Sequence, residues 1–566
     1  MTLLRDRKSR HCEERSDETT RFISKDVIAR HSRSNPFYDN FNLPYFINLF
    51  NEMPIKNLMK TIVIFYSEDS KYAAEKVFGG KSALELTSEW ASSLNLTSYT
   101  VKSSTLSDLL TDMKKLCDEN QADTVLFSYN DLPYLNKELS QKILDYHIEY
   151  KSEYTFADGY PYGFAPEALN AGTIGILAEL SKTSQKALGD APVSRDSIYN
   201  LIKTDINSFD VETIIADSDW RLLRLAFHCG KKDNFMQCKA LFEATGGDTA
   251  VFADVEKLSE LASKNPACLK TVPGFYNIQI SDKANYESIY LPEHNYSQNT
   301  ISYEKCAALV DQIAEFSEKA VISLSAFGEP LFQPEFLKIV EKALSYKGLS
   351  VFFETDGLAV SPDFAEKLAQ IEKSASPRTN GWQKIMVAVI LDAASEQTYQ
   401  KIHKNSPAGA FQTAVNSVAL LQTALPGSVY PQFVRMNENE AELEAFYRYW
   451  NEKSNPSGGN LIIQKYDDFA GQLPPCKPAD LSPLERDPCW HLRRDMTILY
   501  NGDVPACRTC WNQNITGNVF NQSLEEIWHK TDLLLENHIN KNYCCNGQSG
   551  KCANCEKCDE WYTFNF

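Results

Sequence analysis

The chain has 566 residues, 15 cysteines and a formal net charge of −18. A chain of this length exceeds what one hydrophobic core supports, so we expect several domains. The negative charge argues against a nucleic-acid partner, whose phosphates require clustered Lys and Arg, and no apolar run is long enough to span a membrane.

Residues 1–58 are polar and charged, without a sustained apolar period, which is typical of disorder. Met59-Lys60 directly precedes the apolar run Thr61–Phe65, so residues 1–58 are predicted to be disordered or to lie upstream of a true start at Met59. The N-terminus lacks the apolar middle of a secretory signal, and we expect a cytoplasmic protein. Thiols stay reduced there, so crowded cysteines indicate metal ligands rather than disulfides.

From residue 59 to about residue 250, strand patterns alternate with helical patterns, which indicates an α/β domain. Thr61–Phe65 and Thr124–Phe127 are predicted strands, and a helical period runs through Leu84–Leu94. Asp131 follows the second strand, where nucleotide-sugar enzymes hold a divalent cation on a phosphate. The alternative is that Asp131 is an ordinary turn residue.

Three segments of this domain resemble cytidylyltransferases of the spore-coat-polysaccharide and acylneuraminate type, which have the nucleotide-diphospho-sugar-transferase fold. The segments are Val77–Leu84, Pro161–Glu167, and Leu223–Leu225 followed by Asp233. The resemblance implies that Lys81, Asp131 and Glu167 position phosphates and metal in a catalytic site.

This domain departs from the transferases at two points. The basic Gly-rich phosphate loop expected after the first strand is absent from Tyr66 to Glu75, and His228 falls near the expected second metal aspartate. Both changes weaken triphosphate binding, so we expect the transferase fold rather than the transferase activity.

Residues 251–272 are predicted to be a linker between the first and the second domain.

The second domain, residues 273–480, contains six apolar strand candidates separated by helical patterns. They are Tyr276–Ile280, Val321–Ser325, Leu349–Phe353, Ile385–Leu391, Val429–Val434 and Leu461–Gln464. Ser361-Pro362 predicts a helix start. This repetition predicts parallel strands with right-handed crossovers, and hence a partial (β/α)6 barrel.

The loop after the first of these strands resembles the cluster loop of radical S-adenosylmethionine enzymes. In that family a CxxxCxxC motif binds a four-iron cluster and leaves one iron open for the cofactor. Here Ala284, Ser288 and Leu291 stand at the three cysteine positions. None replaces a soft thiolate, so the barrel is expected to lack radical chemistry.

Gly328, Glu329 and Pro330 resemble the family segment that lies along the methionine part of S-adenosylmethionine. The resemblance implies a vestigial cofactor pocket at the strand ends, where barrel-like folds place their ligands. The alternative is a tight turn that caps a strand. The resemblance is compatible with binding of S-adenosylmethionine without turnover.

The third domain, residues 481–566, is rich in cysteine. Its cysteines are Cys489, Cys507, Cys510, Cys544, Cys545, Cys552, Cys555 and Cys558. The spacing from Cys489 through Gly502 to Cys507 resembles the first half of the SPASM pattern, an auxiliary iron–sulfur domain. Asn501-Gly502 is a strong turn dipeptide that brings the flanking cysteines together.

Eight thiolates are enough for two four-iron clusters, or for one cluster with spare thiols. A zinc site built from Cys507, Cys510, Cys552 and Cys555 is the alternative, because CxxC…CxxC is also a zinc-ribbon spacing. The order of the three domains from Met59 onward resembles that of the spiro-SPASM family. The family name describes this architecture and does not indicate a substrate.

Three hypotheses follow for the whole chain. In the first, it is an iron–sulfur protein whose barrel has lost radical chemistry and that serves in recognition of a substrate or partner, or in electron transfer. In the second, the N-terminal domain is a working nucleotidyltransferase acting on a sugar or a related acceptor. In the third, the chain is a zinc-stabilised scaffold without turnover. The sequence does not decide whether the partner is a protein, a peptide or a nucleotide-sugar. It also does not decide whether the chain is an enzyme.

Overall fold

The computed structural model describes residues 59–294, 296–479, 481–543 and 555–563. The prediction for residues 1–58 and those for Cys544, Cys545 and Cys552 lie outside these ranges. The described residues from Thr61 onward belong to one compact unit. Within these ranges, every helix is too short or too polar to cross a membrane.

The N-terminal part is built on a six-stranded sheet in the order β2-β1-β3-β5-β4-β6. Its strands are β1 Thr61–Tyr66, β2 Thr97–Val101, β3 Thr124–Tyr129, β4 Tyr154–Asp158, β5 Glu167–Asn170 and β6 Val211–Ile215. β5 runs antiparallel to β3 and β4, and the other neighbours pair in parallel. Both predicted strands are therefore confirmed, and β3 is buried along its whole length.

Helices cover this sheet. They are α1 Ala83–Ser93, α2 Leu106–Asn120, α3 Lys137–Glu149, α4 Ala171–Lys182, α5 Lys186–Gly189, α6 Ser197–Lys203 and α7 Lys232–Ala244. α1 matches the predicted helical period. Its start is fixed by a capping box, in which the Ser82 hydroxyl accepts from the Glu85 N–H and the Glu85 carboxylate accepts from the Ser82 N–H.

The segment 251–272, which we predicted to be a linker, contains helices α8 Val255–Ser263 and α9 Pro266–Leu269. Leu258 and Cys268 from these helices are buried in the same core as the N-terminal sheet. The segment therefore packs with the N-terminal part as ordered structure.

The second sheet has seven strands in the order β14-β13-β11-β10-β9-β7-β15. They are β7 Phe275–Ile278, β9 Ala320–Ser323, β10 Leu349–Thr355, β11 Ile385–Ile390, β13 Val429–Arg435, β14 Ile462–Lys465 and β15 Asp495–Ile498. All neighbours pair in parallel. The six predicted strands are confirmed, and the curled, open sheet confirms the predicted α/β class with a partial barrel.

The barrel helices are α10 Tyr303–Ser317, α11 Phe336–Leu344, α12 Pro362–Ser374, α13 Glu396–Ile402, α14 Ala410–Ala424 and α15 Leu443–Trp450. The predicted start of α12 is confirmed, because the Ser361 side chain accepts from the Phe364 N–H and Pro362 is the first helical residue. Two short strands, β8 Glu287–Ser288 and β12 His403–Lys404, pair antiparallel beside the barrel.

The cysteine-rich part contributes β15 to the barrel sheet and adds its own small elements. These are α16 Trp490–Arg494, β16 Asp503–Pro505, β17 Ile515–Asn518, α17 Leu524–His529 and α18 Asp532–Ile539. β16 and β17 form an antiparallel pair. Val504 of β16, Val519 and the apolar side chains of α17 continue the barrel core rather than forming a separate one.

Buried cations join the N-terminal part to the cysteine-rich part. The Lys270 ammonium donates to the Trp528 carbonyl at 2.6 Å and to the Thr531 hydroxyl at 2.9 Å. The Arg493 guanidinium is buried and donates to the Leu269 carbonyl at 3.0 Å. Buried polar groups are costly unless they are bonded, so these contacts fix one arrangement of the two parts.

Candidate functional site

Four cysteines of the C-terminal part line one cavity. They are Cys489, Cys507, Cys555 and Cys558. Cys489, Cys507 and Cys558 carry free thiols. Although these residues span two separated stretches of sequence, the fold brings their side chains to one place.

The local backbone explains how these cysteines meet. Cys489 caps the start of α16, and Cys507 follows β16. Gly502 turns the chain between β15 and β16 with φ +89°, and a Cβ there would lie 2.4 Å from the ring of Phe520. A residue other than glycine would therefore be both strained and obstructed at this turn.

The chain end closes the cavity from the other side. The Cys558 N–H donates to the Cys555 carbonyl in a turn, at 3.3 Å. The Trp490 N–H donates to the carbonyl of buried Trp561 at 2.8 Å. Cys510 is buried in the same apolar cluster as Trp561 but does not line the cavity.

Burial raises the pKa of the cysteine thiols. The pKa of Cys489 is raised to about 12, and the pKa of Cys507 is also raised. For Cys558 burial is again the largest cause, followed by the neighbouring Cys489 and Cys507 thiols. Thiolates at these positions therefore need a positive charge in the cavity, which bound iron or zinc supplies.

The arrangement of the thiols bears on which metal centre fits. A single tetrahedral zinc requires thiolates that converge to about 2.3 Å from one point. Among the described residues no group of three or more His, Cys, Asp or Glu side chains is arranged to hold one metal ion. Four thiols around a cavity are a donor set that suits an iron–sulfur cluster, which places several atoms between its ligands.

Two basic side chains from outside the cysteine motifs also line this cavity, His538 and Arg486. Burial, followed by the charge of Arg486, lowers the pKa of His538 to about 3, so its imidazole is neutral. We did not predict either residue. No local motif marks them, because α18 brings His538 to the cavity only through tertiary packing.

A second cavity lies at the strand ends of the barrel. Its polar lining residues are Asn277, Ser323, Ser325, Glu354, Gln432 and Gln464, together with Lys465, Asp467 and Arg508. Gln432 is buried, and its Oε1 atom has no hydrogen-bond partner among the described residues. Phe275, Asn277, Asp467 and Arg508 line both cavities, so the barrel pocket and the cysteine cavity share a wall.

The loop that resembles the radical-enzyme cluster loop is held by internal contacts. The Ser288 hydroxyl lies 2.9 Å from His403 Nδ1, and β8 pairs with β12 at the same point. Leu291 packs against the apolar cluster of Phe327 and Phe469, while Ala284 is half-buried. Hydrocarbon and a bonded hydroxyl therefore occupy the positions where the family has thiolates.

Gly328, Glu329 and Pro330 take different roles. Gly328 lines the barrel pocket with φ +76°, and a Cβ there would lie 2.5 Å from the Ser281 carbonyl oxygen. Glu329 is buried and accepts from the Thr355 hydroxyl at 2.9 Å and from the Asp356 N–H at 2.8 Å. Glu329 thus stabilises the turn after β10, whereas Pro330 begins a short 3₁₀ turn.

In the N-terminal part, Asp131 is fully buried and bound by an arginine. Arg195 donates from Nη1 to Asp131 Oδ1 at 3.1 Å and from Nη2 to Oδ2 at 2.7 Å. Arg195 also donates to Glu68 at 2.9 Å. Glu68 lies in the segment where the phosphate loop is missing, so an acid stands where the transferases have a basic cradle.

The other predicted transferase residues, Lys81 and Glu167, have different surroundings from Asp131. Lys81 binds Glu89 at 2.7 Å on an exposed surface of α1. Glu167 begins β5, and burial raises its pKa to about 8. His228 is buried with Nδ1 3.9 Å from Asp131 Oδ2, beyond hydrogen-bond distance, and burial holds its pKa well below the usual value.

The segment around Arg224, which resembles a late transferase motif, faces the cysteine-rich part. Arg224 donates to the Tyr562 carbonyl at 2.6 Å and lies over the Trp490 ring at 4.7 Å. The neighbouring Leu223 carbonyl accepts from Arg493. These contacts bind the two parts together and leave this arginine engaged by protein.

Comparison with known proteins supports the assignment of the C-terminal part. The SPASM iron–sulfur cluster-binding domain family matches residues 489–559. An uncharacterized protein of Treponema pallidum (strain Nichols) is 38% identical over 379 residues, which cover 65% of this chain and 98% of that protein.

Three solved structures are similar at low identity. BtrN in complex with AdoMet and 2-DOIA is 14% identical with a TM-score of 0.33, covering 51% of this chain and 94% of BtrN. Streptococcus suis SuiB bound to the precursor peptide SuiA is 14% identical with a TM-score of 0.38, covering 54% and 76%. A cytidylyltransferase from Leptospira borgpetersenii is 12% identical with a TM-score of 0.30, covering 38% and 98%.

Replacement of Arg195 by Ala should destabilise the protein by about 3–5 kcal/mol, because it leaves the buried Asp131 carboxylate unpaired. Urea denaturation followed by fluorescence measures the change. The control is Lys81→Ala, which removes an exposed ion pair and should change stability by less than about 1 kcal/mol. Equal losses in the two variants would show that Arg195 and Asp131 do not form a buried pair.

Replacement of Cys489 by Ala should lower bound iron and make the chain end more sensitive to protease, because a small part with few core residues depends on metal. Iron assay and limited proteolysis measure both effects. Cys306→Ala is the matched control, since Cys306 is buried in the barrel core away from the cavity. Full iron content in the Cys489 variant would remove Cys489 from the ligand set.

Proposed function

Because this chain belongs to the same family as the uncharacterized Treponema pallidum protein and ends in a SPASM iron–sulfur cluster-binding domain, we propose that it is an iron–sulfur protein without radical chemistry in its barrel. Its role is then recognition of a substrate or partner beside the cluster, or electron transfer. When bound, a cluster would accept and release single electrons.

The observation that carries this proposal is the convergence of four cysteines on one cavity. Cys489, Cys507, Cys555 and Cys558 come from both halves of the cysteine pattern, and all four line that space. Cys510 packs beside it. This donor set supports at least one cluster, and Cys544, Cys545 and Cys552 are the remaining candidates for a second.

The arrangement also bears on the zinc alternative. Thiols that line one cavity, without any group of three or more described His, Cys, Asp or Glu side chains placed around a single point, favour a cluster over a single ion. The hypothesis of a zinc-stabilised scaffold would therefore require metal analysis to find zinc in place of iron.

The wall shared by the two cavities supports a recognition or electron-transfer role. A ligand in the barrel pocket would lie beside Asp467 and Arg508, which also line the cysteine cavity. Gln432, with its unpartnered oxygen, favours a ligand that donates a hydrogen bond. S-adenosylmethionine bound without turnover is one such ligand, and a peptide or nucleotide-sugar group is another.

For the N-terminal part we infer a structural role. The Asp131 carboxylate, which would hold a cation on a phosphate, has both oxygens bound by Arg195. Arg224 is bound to the cysteine-rich part. These contacts disfavour the nucleotidyltransferase alternative, in which Lys81, Asp131 and Glu167 would act together.

The domain order supports membership of the spiro-SPASM type. We propose boundaries at residues 59–250, 273–480 and 481–566, with the segment 251–272 packed against the first domain. The proposal rests on the succession of a cytidylyltransferase-like part, a barrel without cluster cysteines and a SPASM domain.

Protein purified without oxygen should be brown and should contain iron and acid-labile sulfide in equal amounts, at about four or eight of each per chain. Elemental analysis, sulfide assay and electron paramagnetic resonance after reduction measure this. Colourless protein with stoichiometric zinc would favour the scaffold hypothesis instead.

The loaded protein should form no 5′-deoxyadenosine when incubated with dithionite and S-adenosylmethionine, because Ala284, Ser288 and Leu291 offer no iron ligand beside the barrel pocket. Chromatography of the anaerobic mixture gives the answer. Multiple turnovers that disappear in Cys489→Ala would show that the C-terminal cluster carries radical chemistry, and the proposed inactivity of the barrel would be wrong.

A further inference from the structure

The cysteine cavity contains one histidine with a ring nitrogen that the protein leaves unbonded. His538 is 2% exposed and lines the cavity with the four cysteines. Its Nε2 atom is buried and has no hydrogen-bond partner among the described residues. A buried donor without a partner costs about 1–3 kcal/mol, so this atom points to a bonding partner that occupies the cavity.

The other ring nitrogen determines which tautomer is present. The backbone N–H of Cys489 donates to His538 Nδ1 at 3.4 Å. Nδ1 must therefore carry a lone pair, and in the neutral ring the proton lies on Nε2. Nε2 is thus a hydrogen-bond donor on a residue that lines the cavity together with the four cysteines, whose sulfur atoms can accept.

A second histidine of the same cavity provides an internal comparison. His491 also lines the cavity, but its Nδ1 lies 2.6 Å from Asp495 Oδ2 and its Nε2 lies 3.1 Å from Thr563 Oγ1. Both ring nitrogens of His491 are therefore engaged by oxygen. Of these two histidines, His538 alone has a ring N–H free for sulfur.

We propose that His538 donates a hydrogen bond from Nε2 to a sulfur atom of the bound iron–sulfur cluster or of one of its cysteine ligands, and thereby raises the reduction potential of the cluster. The inference rests on the proposed iron–sulfur function. Its physical basis is that a donor stabilises the extra negative charge of the reduced cluster, as hydrogen bonds to the sulfurs of such clusters generally do. His538 is a positioning residue and does not ligate iron.

The test compares reduction potentials of the anaerobically loaded full chain by redox titration followed with electron paramagnetic resonance. His538→Leu removes the donor and should shift the potential to a more negative value. His538→Gln keeps an amide that accepts from Cys489 and donates into the cavity, and should restore most of the shift. His491→Leu is the matched control and should leave the potential near that of wild type.

Wild-type protein gives an independent measurement that needs no variant to load with cluster. With 15N-labelled histidine, pulsed electron paramagnetic resonance of the reduced cluster should detect a weak coupling to a histidine nitrogen, retained in the His491 variant. An unchanged potential in a loaded His538→Leu variant overturns the inference. Absence of the coupling in wild type also overturns it, including where the His538 variants fail to load.

Failure of the proposed function would look different. Wild-type protein without iron, sulfide or a paramagnetic signal after reduction would reject the iron–sulfur assignment itself. If the wild-type protein loads with cluster and the His538→Leu variant has the same reduction potential, only the role of this histidine is rejected.

Discussion

The parallel pairing of β15 with β7 is the contact on which the arrangement of the candidate sites depends. It places Asp495 beside Phe275 and Thr497 beside Asn277, and these four residues line the cysteine cavity. Phe275 and Asn277 also face the barrel pocket. One backbone ladder therefore joins the cysteine-rich part to the barrel and gives the two cavities a common wall.

A second constraint is that side chains in positions typical of catalysis are engaged by the protein itself. Arg195 binds both oxygens of Asp131, and Glu329 accepts hydrogen bonds from the turn after β10. Ser288 is bonded to His403. Buried polar groups must find partners, so a site that stops binding its ligand is stable only when neighbouring residues supply those partners. In this protein Asp131, Glu329 and Ser288 each have such a partner.

Local patterns allowed prediction of the strands of the barrel and of the turn at Gly502, although β15 and β16 on either side of that turn pair with other strands. Ile385–Ile390, for example, is a continuous apolar run. The dipeptide Asn501-Gly502 is enough to indicate the turn between β15 and β16. β15 was missed, because Asp495–Ile498 is four residues long and becomes a barrel strand only through β7. His538 and Arg195 were missed for the same reason, since their partners are distant in sequence and no spacing connects them.

The same β7–β15 ladder has a consequence for synthesis of the chain. Asp495 pairs with Phe275, which is made 220 residues earlier. Until the later segment leaves the ribosome, one edge of β7 stays open, and an open apolar edge is prone to pair with other chains. Contacts of such high sequence separation also slow folding. Nascent chains that stop before residue 495 should therefore depend on chaperones, and metal can enter only after nearly the whole protein has been translated.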